Sequence, residues 1–216
     1  GLNFKKDDWL AIKWGAYHTD WKDRNLTKAV TTGQGDSGDT DVIFLTGVDQ
    51  KHIGVEIEAS IKLHDMVRFD VAASLGDWQF NGDAVGDYQE NEYNENEEVV
   101  GLKVGDMPQT SLVLGTTLTP FKGLSLQGLY KLYSNNFADW SPDSREYDGS
   151  DADADRSQVW EAPNYGKLDL HATYKLPKIA GLDMTLSAHI FNALDGIYVQ
   201  DAVDNSQYNG YGDKVH

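Results

Sequence analysis

Cysteine is absent from this 216-residue chain, which excludes a disulfide framework, thiolate metal sites and a cysteine nucleophile. Long apolar runs are absent too, so no segment reads as a transmembrane helix. The start, "GLNFKKDDW", lacks the apolar core and cleavage pattern of a signal peptide. Basic residues are scarce: 18 Lys and Arg face 35 Asp and Glu, for a net charge of −17. Such a surface excludes nucleic acid as a partner, because phosphates demand a basic face. No P-loop, dinucleotide fingerprint or metalloprotease helix occurs. A mean hydropathy of −0.52 suits a soluble acidic domain. It also suits barrel strands, which alternate and never build a high hydropathy window.

What the chain does have is alternation. From Ile53 to Leu63 every odd position is apolar and every even position is small or polar. A helix repeats at three and four residues, so this period marks a strand with one greasy and one wet face. The pattern restarts after His64-Asp65 as Val67, Phe69, Val71, Ala73 and Leu75, and so short a turn makes an antiparallel hairpin. Two more hairpins follow: Leu112–Leu118 with Leu124–Lys131, then Lys167–Leu176 with Leu182–Ile190. An earlier strand spans roughly Asp8 to Asp23. Seven strands are expected.

The connections sort by length. One edge has short turns after Leu63, at Pro120–Gly123 and at Pro177–Gly181; the other has long segments at about 24–40, 77–98 and 137–163. Outer-membrane barrels are built this way. The acid sits on the long side: nine acids and one Lys in 77–106, and eight acids and two Arg in 137–163. The strands stay close to neutral, as a membrane wall requires.

Three constellations could carry chemistry. Asp148, Asp151, Asp153 and Asp155 offer alternate carboxylates to a hard cation such as calcium. The EF-hand template fails there, since Arg156 replaces its Gly and Ala162 its final Glu; a solvated acidic loop explains the same residues. The low-complexity run "ENEYNENEE" reads as an exposed loop. If the last turn centres on Ile179, His189 faces Asp169, with His171 facing Ser187, the ingredients of a hydrolytic triad. No nucleophile elbow or oxyanion loop accompanies them, and a polar ladder inside a barrel needs no catalysis. Aromatics gather near the loop bases, among them Trp9, Trp21, Trp78, Trp140, Trp160 and Tyr165. An interfacial girdle accounts for most; Trp78, Trp140 and Trp160, in or beside the long loops, are the candidate substrate-stacking residues.

Three stretches carry a resemblance. "LTGVDQKHIGVEIEASIKLHDMVRFDVAASLGDW", "VGDMPQTSLVLGTTLTPFKGLSLQGLYKLYSNNFADW" and "PNYGKLDLHATYKLPKIAGLDMTLSAHIFNALDGIYVQDA" resemble successive hairpins of TonB-dependent outer-membrane receptors of the Bacteroidota kind. The resemblance implies an all-β, antiparallel transmembrane barrel of roughly 22 strands around a plug. Residues 1–216 would be a partial barrel domain, without the plug, the N-terminal strands or the last strand. It also implies outer-membrane lipid, the TonB complex, a surface lipoprotein and an extracellular nutrient (glycan, peptide or metal chelate) as partners, with no catalytic residue and no cofactor beyond the calcium candidate. In "HIFNALDGIY", Asn192 and Asp195 fall where alternation breaks, which reads as structural, and Tyr198 suits an aromatic rim. Two rivals remain. One is a soluble secreted β-sandwich that binds glycan through a calcium loop; the other is a barrel enzyme using His189 and Asp169. The direction in which the odd-numbered face of 53–63 points separates receptor from sandwich.

Overall fold

The computed structural model describes residues 1–32, 39–82, 84–87, 94–97, 99–141, 146–147, 157–178 and 181–204. Eight strands form one antiparallel sheet in the order β1 (Leu2–Lys6), β2 (Leu10–Trp21), β5 (Gln50–His64), β6 (Val67–Phe80), β9 (Thr110–Leu118), β10 (Leu124–Ser134), β15 (Tyr165–Lys175) and β16 (Thr185–Ile190). Neighbours in space are neighbours in the chain, the meander expected where short turns join alternating strands. All seven expected strands are present. The eighth, β1, is too short for its alternation to stand out, and it pairs with β2 through a turn that holds Asp7 at positive φ. At Gly123 the turn before β10 needs glycine, because φ is +94° and a Cβ would meet the Lys175 carbonyl oxygen at 2.6 Å.

The two faces of this sheet differ. Ile53, Val55, Ile57, Phe69, Leu75, Leu114, Leu186 and Ile190 are exposed, Val55 at 48% and Ile57 at 46%. Among the described residues no second sheet covers them. Leaving one such side chain in water forgoes about 1.5–3 kcal/mol, so a face built of many requires apolar cover from outside the chain. The sandwich alternative fails on this point. The opposite face carries Lys13, Glu56, Glu58, Ser60, Asp70, Gln127 and Lys131 in register across the strands. Pairs such as Ser60 donating to Asp70 at 2.8 Å and Lys131 to Asp169 at 2.7 Å satisfy them.

The long connections are more than loops. They build a five-stranded sheet from β3 (Leu26–Thr32), β4 (Asp39–Thr46), β7 (Ala84–Asp87), β8 (Asn94–Glu97) and β13 (Glu146–Tyr147). Two small pairings join it: β11 (Asn136–Phe137) with β14 (Glu161–Ala162), and β12 (Asp139–Trp140) with β17 (Val203–Asp204). The buried apolar cluster lies here, in Ile43, Leu45, Val48, Phe80, Ala84, Val99, Leu102, Trp140 and Val159. The molecule therefore keeps its water-excluding core in the cap and leaves the wall's apolar face bare, the inverse of a soluble sandwich.

Candidate functional site

The polar face of the wall ends, beside the cap, in a group of rings. Alternation along β2 puts Tyr17, Thr19 and Trp21 on the same side as Lys13, and pairing sets Thr19 opposite His52 and His52 opposite Trp78. His52 stacks on Trp78 with centroids 5.3 Å apart and planes at 15°, while Trp21 meets His52 edge-on at 6.5 Å. The Trp78 indole N–H donates to the Tyr17 hydroxyl at 2.8 Å. Arg24 lies over the Trp21 ring, 5.7 Å from its centroid, and also bonds Gln50, whose Oε1 is 3.1 Å from His52 Nε2.

Two glycines, paired across β5 and β6, make room for this group. A Cβ on Gly54 would collide with the Tyr17 hydroxyl, and one on Gly76 would come within 2.8 Å of Trp78 Nε1. The rings can therefore lie down against the wall. Gln109, buried beneath, accepts the Trp78 backbone N–H at 3.0 Å and donates to the Trp78 carbonyl at 2.9 Å. Trp21 stays half exposed, at 51%. The arrangement presents aromatic rings and a guanidinium on the inner side of the wall, the chemistry that holds flat or hydroxyl-bearing ligands. Only Trp78 of this group was among the sequence candidates; Tyr17, Trp21 and His52 share its face through strand parity, a signal that the alternation already contained.

The other candidates are placed differently. Trp140 is fully buried, edge-on to Phe80 at 6.0 Å, with the Lys28 ammonium 5.2 Å from its ring centroid; its ring offers a ligand no open face. Trp160 is 39% exposed on the cap and separate from the ring group's contacts. Asp151, Asp153 and Asp155 lie outside the described residues. Near the cap base, Lys28 pairs with Asp139. Desolvation pushes the Asp106 carboxyl up to about 6, helped by its hydrogen bond to Asp201 and the charges of Asp139 and Asp201.

The triad geometry is not formed. His189 sits opposite His171, two residues from the expected Asp169, and Ser187 sits opposite Thr173. The observed register, with Lys175 opposite Thr185, is slid by two residues from the expected one, which keeps every side chain on its own face. Asp169 is instead buried, taking Lys131 at 2.7 Å and the Asn192 backbone N–H at 2.9 Å. Asn192, at φ +50°, then exchanges two side-chain bonds with the Gly196 backbone, at 3.0 and 3.2 Å. That staple folds the chain back, and Tyr198 stacks on Tyr165 at 4.5 Å, on the polar face rather than at an outward rim. Tyr133 and Lys167 complete this second aromatic group.

The family model "TonB dependent receptor-like, beta-barrel" matches residues 1–193. The chain belongs to the TonB-dependent receptor barrel family. Its place is the bacterial outer membrane, so the bare apolar face meets lipid and the polar face lines the barrel interior. No curated protein matches it. Among solved structures, the copper transporter OprC superposes with a TM-score of 0.58 at 15% identity, over 96% of this chain. At that identity the likeness concerns the fold alone. The chain spans 27% of the length of that receptor-sized structure.

Proposed function

We propose that this chain forms part of the wall and extracellular cap of a receptor that imports a nutrient across the outer membrane. The whole receptor holds a plug inside a closed barrel, and the TonB complex acts on that plug to drive uptake. The single observation that carries the reading is the inverted distribution of apolar side chains among the described residues, bare along the wall and buried around the cap. The open edges of β1 and β16 support a wall continued by further strands, since unpaired edges are not tolerated in lipid.

The nutrient rests on Trp78 and its neighbours Tyr17, Trp21 and His52 as it enters, and Trp160 contributes an outer contact on the cap. Acidic surroundings disfavour a strongly anionic cargo, which leaves glycans, peptides and cationic or neutral metal chelates. A surface lipoprotein closes over the cap side in this reading.

These 216 residues hold no cysteine, so an introduced one labels the wall selectively once any cysteine elsewhere in the receptor is replaced. In the full receptor, a fluorophore on Val55→Cys is quenched by nitroxide-labelled lipid, whereas one on Glu56→Cys is quenched by a water-soluble agent. Water access at both positions sinks the wall assignment. Transport is tested by growth of the source bacterium on single nutrients: one that is lost both on receptor deletion and on TonB inactivation is the cargo. Receptor-dependent uptake that persists without TonB removes the active-transport reading.

A further inference from the structure

The polar face carries a histidine pair that lies apart from the ring cluster. His171 on β15 and His189 on β16 are direct cross-strand partners, and their Nδ1 atoms face each other at 2.8 Å. The rings meet at 62°, 5.0 Å apart, and Phe191 packs on both, edge-on to His171 at 5.7 Å and parallel to His189 at 6.1 Å. The nearby carboxylate is committed elsewhere, because Asp169 holds Lys131 and the Asn192 amide. Gln127 is the next side chain in the row, opposite His171, and its amide donates to Thr117 at 3.4 Å. The pair is thus two imidazoles braced by one aromatic ring on the polar face, with His189 on the edge strand β16.

We propose that His171 and His189 form a two-imidazole site for a late first-row divalent cation, on the inner wall. Metal–imidazole bonds are about 2.0–2.1 Å long, so two nitrogens at the observed separation subtend close to a right angle at the ion. That is the angle between adjacent ligands in a square-planar or octahedral shell, the geometry of Cu²⁺ and Ni²⁺. Neutral nitrogen donors without a carboxylate select such ions over Ca²⁺ and Mg²⁺, which want oxygen. The hydrogen now shared between the two Nδ1 atoms moves through water to Nε2 of its own ring. Both rings stay neutral, and both Nδ1 lone pairs turn to the ion. Two protein ligands leave the remaining positions to water or to a chelator carried with the ion. The site stands on the hairpin geometry alone and does not depend on what the receptor imports.

Cu²⁺ is the probe, since it binds nitrogen sites tightest in the divalent series and its electron paramagnetic resonance spectrum counts coupled nitrogens. The full receptor in detergent, titrated with copper chloride, gives a signal with two equivalent imidazole nitrogens. His171→Gln and His189→Gln each abolish that pattern and weaken binding by about tenfold or more, while Phe191→Leu keeps both nitrogens coupled. An unchanged two-nitrogen spectrum in the double variant overturns the site and assigns the copper to nitrogen ligands elsewhere in the receptor, and an oxygen-only spectrum in the unaltered receptor overturns it and assigns the copper to carboxylates. Folding of the variants is not needed for the second readout. In the unaltered receptor, Cu²⁺ protects His171 and His189 from diethyl pyrocarbonate while His18 and His64 react as before. Equal modification of all four with and without copper also overturns it.

Discussion

Asp106 shows how a single residue reports on the cap. Its carboxyl is pushed up to about 6 from 3.8, first by desolvation and then by Asp201 and Asp139, against a smaller opposing pull from Lys28. A raised acid binds its proton more tightly folded than unfolded, so between these two values the folded cap holds more proton. Cap stability is therefore greatest at the acid end of this window, declines as pH rises through it, and is level above about 6. Asp106→Asn mimics the protonated form and flattens that slope, which amide exchange of residues 135–140 against pH measures. Gly54→Val tests the ring group: the new side chain occupies the place of the Tyr17 hydroxyl. Tyr17 lifts, the bond to Trp78 breaks, and the indole fluorescence shifts to the red, with cargo affinity falling while the wall remains folded. A normal spectrum in that variant rules out the close approach of Tyr17 to the wall.

At the scale of elements, wall and cap are held by different forces. Strand pairing and lipid hold the wall; burial around Trp140 holds the cap. Trp140→Ala costs the cap about 3–5 kcal/mol, and limited proteolysis of intact cells should then cut the long connections while the wall resists. Equal loss of both would show that they form one cooperative unit. The β15–β16 hairpin has its own lock, in which Asp169 takes the Asn192 amide and Asn192 bonds Gly196. Asn192→Gly keeps the positive φ but deletes both side-chain bonds. Residues 193–199 then exchange amide hydrogens faster and the Tyr165–Tyr198 stack opens. Protection equal to that of the unaltered protein would mean that the rings, rather than Asn192, hold the segment.

For the whole molecule the decisive quantity is which face meets which solvent. Single cysteines at Leu114, Leu126 and Leu170 are expected to report lipid, and those at Thr117, Gln127 and Thr173 water, because pairing puts each set on one side of the sheet. A strand whose two parities report the same environment is not part of the wall.

Much of this was open to reading from residues alone. The period-two pattern of Ile53–Leu63 determined a two-faced strand, because Cβ direction alternates whatever the strand pairs with. Turn length and the placing of acid determined which edge faces outward. Pairing partners were not determined in the same way. The slide that brought His189 against His171 depended on how one turn closes, and a two-residue register shift leaves the hydrophobic pattern unchanged. The short strand β1 had too few residues to show a period. Trp140 looked exposed because its loop is polar, and it is buried because β4 from one connection, and β7 with the 99–104 segment from another, converge on it. Local chemistry decided strands and faces, since those depend on neighbours one and two residues away. The register, the cap core and the ring group at the mouth were decided by tertiary structure, where residues tens of positions apart compete for the same space.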